Sequence, residues 1–168
     1  DYNSALLLEK LQHNSQEKTL ALMQDRVSTF LECALDLGEA GFFQEAISLL
    51  RSCKKKSPLL KYYEAYYTEK RRQQETQSEA VAQLLREAEA RNPQYCFPNR
   101  LEEIKILQFV TKKNPSGGMA PYYLGCLWYD RQQYNKAVQQ WKMSSSRNPE
   151  FPTVWRNLAL ASYEHTGE

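Results

Sequence analysis

Apolar residues recur along this chain in steps of three and four, in blocks separated by short polar turns. From Val27, one face carries Phe30, Cys33, Ala34 and Leu37, a spacing that predicts an amphipathic helix. Gly41 sits at a turn, and Phe43, Ala46, Ile47, Leu50 and Cys53 form the face of a second helix that Pro58 closes. The pattern returns between Ala120 and Phe151. Tyr123, Leu124, Leu127 and Trp128 line one helix, and Tyr134, Ala137, Val138 and Trp141 line the next after the polar turn DRQQ. Asn148-Pro149 stops it, because proline lacks the N–H and biases its predecessor away from helix.

The intervening segments follow the same grammar with one interruption. Tyr63, Tyr66 and Tyr67 give the apolar face of a helix from about Pro58 to Arg72, with proline suited to the first turn. RRQQETQ is a polar turn, Ser78 an N-cap, and Val81, Leu84, Leu85 and Ala88 run to Asn92-Pro93. YCFPNR leaves no room for a first helix. LEEIKILQFVTKKNP nonetheless reads as a second helix, with Leu101, Ile104, Leu107 and Val110 inward. Two second-type helices in succession should bend or divide the array near Phe97–Pro98. At the start, Leu6, Leu7, Leu8 and Leu11 predict a short helix over Ser4–Leu11, and another follows near Lys18–Met23.

Set against the ~34-residue helix-turn-helix unit, the Ala120 block supplies the Leu124-Gly125 pair, an aromatic near Tyr129, the small Ala137 and the closing Pro149. This resembles a tetratricopeptide repeat. The resemblance implies an all-α fold of antiparallel helix pairs stacked as a right-handed superhelical solenoid, with an irregular half-repeat near residues 94–115. The whole span 1–168 then divides into partial leading helices (1–25), repeats at 27–60 and 61–93, a half-repeat at 94–117, a repeat at 118–151, and the first helix of a truncated repeat at 152–168. Trp155, Leu158 and Ala159 fall at first-helix positions, and no second helix follows. The expectation is an excerpt of a longer protein.

Four phrases go beyond the general repeat: ECALDLGEAGFFQEAISLL, FPNRLEEIKIL, APYYLGCLWYD and FPTVWRNLALA. Together they resemble the repeat region of a family of long, mostly bacterial proteins of unassigned function, which carry an N-terminal mutarotase-like β-domain. That resemblance implies a carbohydrate context, with any sugar chemistry in the β-domain outside this span.

Composition narrows the function classes. A formal net charge of +2 argues for neither nucleic acid nor an anionic membrane surface. No apolar run reaches the ~20 residues of a spanning helix. Cys33, Cys53, Cys96 and Cys126 are widely spaced without a CxxC pair, and read as packed free thiols of a reducing, cytoplasmic setting. His13 and His165 lack partners at metal-ligand or general-base spacing. No phosphate-cradling glycine motif occurs, and Gly117-Gly118 reads as a turn. Glu102-Glu103 complements a helix N-terminus, while Lys54-Lys55-Lys56 and Lys70-Arg71-Arg72 complement helix C-termini. No catalytic, cofactor-binding or metal-ligating set converges.

Aromatic residues carry the remaining signal. Most fill the space between helices. In tetratricopeptide repeats the first helices line a concave groove. That places Tyr122, Cys126, Tyr129 and Asp130, then Arg156, Asn157 and Tyr163, and earlier Tyr66 and Lys70, on one surface. Aromatic bodies with polar tips suit recognition of a peptide or a neighbouring domain. The expected function is a non-catalytic protein-interaction scaffold. The alternative is an accessory or oligomerisation region of a larger carbohydrate-active protein. Self-association through the exposed C-terminal helix is a further expectation.

Overall fold

The computed structural model describes residues 2–11, 17–72 and 79–165. His13, Ser78, most of the RRQQETQ turn and the Gly167-Glu168 end lie outside the described residues, as does the His165 side chain. The described residues form ten α-helices and no strand: α1 (Tyr2–Leu11), α2 (Glu17–Leu22), α3 (Val27–Glu39), α4 (Phe43–Ser52), α5 (Pro58–Arg72), α6 (Glu79–Glu89), α7 (Glu102–Lys113), α8 (Met119–Asp130), α9 (Tyr134–Arg147) and α10 (Pro152–His165). None is long and apolar enough to cross a membrane. The fold is all-α, and α3–α4, α5–α6 and α8–α9 are stacked helix pairs.

Ala34, Ala46 and Ala137 are fully enclosed, and their lack of bulk lets neighbouring helices approach to roughly 8–10 Å. In α8–α9 Trp141 lies directly over Gly125, and its indole N–H donates to the Tyr122 carbonyl at 3.3 Å. Ser144 donates to the Gly118 carbonyl at 2.7 Å. Two bonds one helical turn apart thus fix the register where α8 begins and α9 ends.

The two best-formed turns are copies of one design. Gly41 has φ +84° between α3 and α4, and Gln132 has φ +58° between α8 and α9. Behind each, the next residue donates across the turn, Phe42 to Leu37 at 2.8 Å and Gln133 to Trp128 at 2.9 Å. These are Schellman closures, which need a left-handed residue past the helix end.

The irregular segment resolves into a specific packing choice. After Pro93 the chain crosses 94–101 with Phe97 exposed and Cys96 and Pro98 buried. Next, α7 settles against α5 and α8 as its principal neighbours. It runs in the direction of α5: Glu103 meets Tyr63, Phe109 meets Tyr66, and Lys113 meets Glu69. Side chains reach α3 as well, through Arg100–Glu32 at 3.2 Å and Lys105–Glu39 at 3.9 Å. Against α8 it is antiparallel, with Arg131 donating to the Asn99 carbonyl at one end and the Asn114–Gly118 turn at the other. A helix that reads as a second helix therefore lies alongside first helices.

Its inward stripe also differs from the expected one. Glu103, Ile106, Leu107 and Val110 are buried, Ile104 is half-buried and Leu101 is 60% exposed. The helix starts one residue later, at Glu102, which turns Leu101 out and Glu103 in. Glu103 is 2% exposed and accepts from the Tyr63 hydroxyl at 2.9 Å and from the Asn99 and Arg100 amides at 2.7 and 2.9 Å. It thereby supplies donors' partners that the helix start leaves open. Glu89, at the end of α6, accepts from the Tyr62 hydroxyl at 2.8 Å and the Met119 amide at 3.0 Å, joining α5, α6 and α8.

Candidate functional site

The first-helix candidates separate into two places. On α8 and α10, Tyr122, Cys126, Tyr129, Arg156, Asn157 and Tyr163 share neighbouring surfaces because both helices pack on α9 from the same side of the array. Asn157 Nδ2 approaches Cys126 Sγ at 3.9 Å. The Tyr122 ring packs edge-on against Phe151, 4.9 Å between centroids, and against Tyr123 at 5.4 Å. Burial pushes the Tyr122 phenol well above its ordinary range, and the Cys126 thiol beside it adds to the shift. Burial raises the Cys126 thiol too, although hydrogen bonds from Tyr122 and Trp141 oppose it. A thiol held neutral is a poor nucleophile.

Nearer the end of α8, Tyr129 donates to the Glu164 carboxylate of α10. That bond, with smaller contributions from burial and the carboxylate's charge, holds the phenol up to about 12. The Tyr129 ring also sits 5.1 Å from Tyr134 and 5.2 Å from Trp141. Its hydroxyl is thus committed to an inter-helix contact and its ring to a small aromatic cluster. Asp130 is exposed and pairs with its neighbour Arg131 at 3.6 Å. Tyr163 is 78% exposed and Leu160 42%, so together with Arg156 they form the open part of this surface.

Tyr66 and Lys70 belong elsewhere. The Tyr66 ring is met edge-on by Phe109 of α7 at 5.4 Å, and the Lys70 ammonium stands over Tyr66 at 5.5 Å. They border a hollow of about 320 Å³ between α3, α5 and α7, which Glu39, Glu102 and Lys105 also line. The chain's own helix occupies the place where an open groove was expected. Cations and carboxylates alternate around this hollow, so it has no single sign with which to hold a charged ligand.

The sequence places Glu164 on the face of Arg156 and Tyr163, but the tyrosine partners of Glu89, Glu103 and Glu164 were not foreseen. Those partners, Tyr62, Tyr63 and Tyr129, are distant in sequence, and only the packing brings them together. The cysteines are free thiols, three buried and Cys126 half-buried. Among the described residues no group of three His, Cys, Asp or Glu could hold a metal ion.

No protein-family model matches the chain. Among solved structures it is similar to the crystal structure of MamA protein, with 19% identity and a TM-score of 0.40 over 90% of this chain and 69% of that one.

Proposed function

We propose that this chain is a non-catalytic interaction scaffold whose α8–α10 surface receives a peptide segment or a neighbouring domain of its parent protein. One observation carries the reading: aromatic and polar side chains from two helices converge on a single exposed surface, with their lower parts locked by Asn157–Cys126 and Tyr129–Glu164. Side chains already held in place lose little freedom on binding, so more of the contact energy appears as affinity. The exposed Tyr163 and Arg156 are of the aromatic and cationic types that dominate binding energy at interfaces.

The resemblance to the repeat region of the mutarotase-domain family supports a domain of the parent chain as the occupant, in an accessory role. The test is selection of binders from a displayed peptide library on immobilised protein, run in parallel on the Tyr129→Ala, Arg156→Ala double variant. Enrichment on the native protein that the double variant loses, at unchanged helicity by circular dichroism, supports the assignment. Equal enrichment on both removes this surface from it.

A further inference from the structure

The net charge of +2 averages over an uneven surface. Two loops on one edge of the array, 53–57 after α4 and 90–97 after α6, lie side by side. Arg91 donates to the Ser57 carbonyl at 2.8 Å, and the Cys96 thiol faces Ser57 and the Leu59 amide. The Cys53 thiol sits in the fields of Asp25, Lys55 and Arg91, so those charges surround one point. Asp25 also accepts from the Lys54 amide at 3.0 Å, which brings the exposed Arg26 to the same edge. Lys54, Lys55 and Lys56 are all exposed and form no ion pair among the described residues. Asp25 is the carboxylate these contacts bring with them, while Glu89, near Arg91 in the chain, is turned onto Tyr62 and Met119.

Tyr95 and Phe97 flank Cys96 and so stand beside this basic loop. They are 90% and 75% exposed, whereas Cys96 and Pro98 are buried. The alternation roots the segment through its buried members and leaves both rings in solvent. Tyr95 is held at φ +59°, a left-handed backbone that a bulky residue rarely adopts. So exposed a ring recovers little from packing on its own chain. Strain of this kind persists where a function needs the side chain in place.

We propose that this edge docks on an anionic phospholipid surface, with the lysines meeting headgroup phosphates and the two rings entering the interfacial layer. Charge and shape both select that occupant. Lysine is depleted at protein–protein interfaces, where arginine is enriched, whereas clustered basic residues are what draw a protein to an anionic leaflet. Aromatic anchors at protein interfaces sit in well-packed, desolvated pockets. These two project from the surface instead, as aromatics at a membrane–water boundary do. No helix among the described residues is long and apolar enough to cross a membrane, so the contact proposed is peripheral.

The test is flotation of the intact chain with phosphatidylcholine vesicles, with and without phosphatidylserine. Binding to the anionic vesicles alone is expected, and it should fall as salt screens the attraction. Replacing the triplet together, Lys54→Gln, Lys55→Gln and Lys56→Gln, should weaken it at least about tenfold. The pair Tyr95→Ser and Phe97→Ser should weaken it severalfold and leave the remaining binding more sensitive to salt, since only its electrostatic part survives. All five positions are exposed, so both variants should keep the native melting temperature. Equal binding to both vesicle types, binding to neither, or binding that both variants retain overturns the proposal. Capture of polyglutamate or oligouridine without vesicle binding also overturns it, and would assign the lysines to a soluble polyanion.

Discussion

Trp141 lies so close over Gly125 that a β-carbon on residue 125 would stand 2.4 Å from the indole Cδ1 and 2.5 Å from its nitrogen. The indole is 3% exposed and its N–H is engaged with the Tyr122 carbonyl, so it cannot swing aside freely. Gly125→Ala should therefore force α8 and α9 apart and cost about 1–3 kcal/mol. Urea unfolding measures this. Trp141→Leu introduced into the Gly125→Ala background should return part of the loss, and strict additivity of the two changes would contradict the clash.

The matched turns predict opposite outcomes for two substitutions. Gln132 adopts a left-handed conformation that glycine tolerates better, so Gln132→Gly should stabilise by up to about 1 kcal/mol. At Gly41 the same conformation is already occupied by glycine, and Gly41→Ala should destabilise by about 1 kcal/mol although nothing lies within 4 Å of the added carbon. Equal effects at the two sites in chemical denaturation would show that turn strain does not govern them.

Glu103 is a test of polar satisfaction. Glu103→Ala removes the acceptor for one hydroxyl and two amides in a buried position, and should cost about 1–3 kcal/mol or more. Tyr63→Phe removes one of those donors and leaves the carboxylate its two amides, so its cost should be smaller. Hydrogen exchange at the start of α7 should accelerate in the first variant and change little in the second.

Alkaline conditions should unfold the protein through its buried phenols. Burial, reinforced for Tyr62 and Tyr63 by the carboxylates Glu89 and Glu103, holds Tyr62, Tyr63, Tyr67 and Tyr123 above the ordinary 10.0. Burial likewise raises the Cys96 thiol from 9.0 to about 11. The unfolded chain releases these protons first, so it binds fewer protons than the native state and stability falls as pH rises. The contribution is intact below about pH 8 and declines from about pH 9 upward. A denaturant midpoint that is level between about pH 8 and 10.5 would contradict it.

Much of the architecture was legible because it is local. The Tyr123, Leu124, Leu127 spacing, the small Ala137 and the stop at Pro149 each act within one helix pair, and helices α3, α4, α5, α8 and α9 begin and end close to where those signals place them. What α7 would pack against was not legible. An apolar stripe shows which face of a helix is buried and says nothing about which neighbour buries it. The pairs that settle the matter, Arg100–Glu32 and Tyr63–Glu103, join residues far apart in the chain. The same reason explains Tyr66, whose position on a first helix suggested an open groove until Phe109 was found against it. The outward placement of Tyr163 and Arg156 came from the likeness of α10 to a repeat's first helix. The same likeness put Glu164 on that face, but not its bond to Tyr129, which joins two helices.

In a regular solenoid each unit touches only the units before and after it, so stability approximates a sum along a one-dimensional lattice and the ends fray independently. Helix α7 breaks that arithmetic. It packs against α5 and α8, accepts from Tyr63 of α5 through Glu103, and reaches α3 through the exposed Lys105–Glu39 pair at 3.9 Å, and so touches a unit that nearest-neighbour contacts alone would leave out. Loosening any one of them weakens the grip on the other two. The middle of the chain should therefore melt more cooperatively than a nearest-neighbour array, with damage in α7 felt on both the α5 and the α8 side.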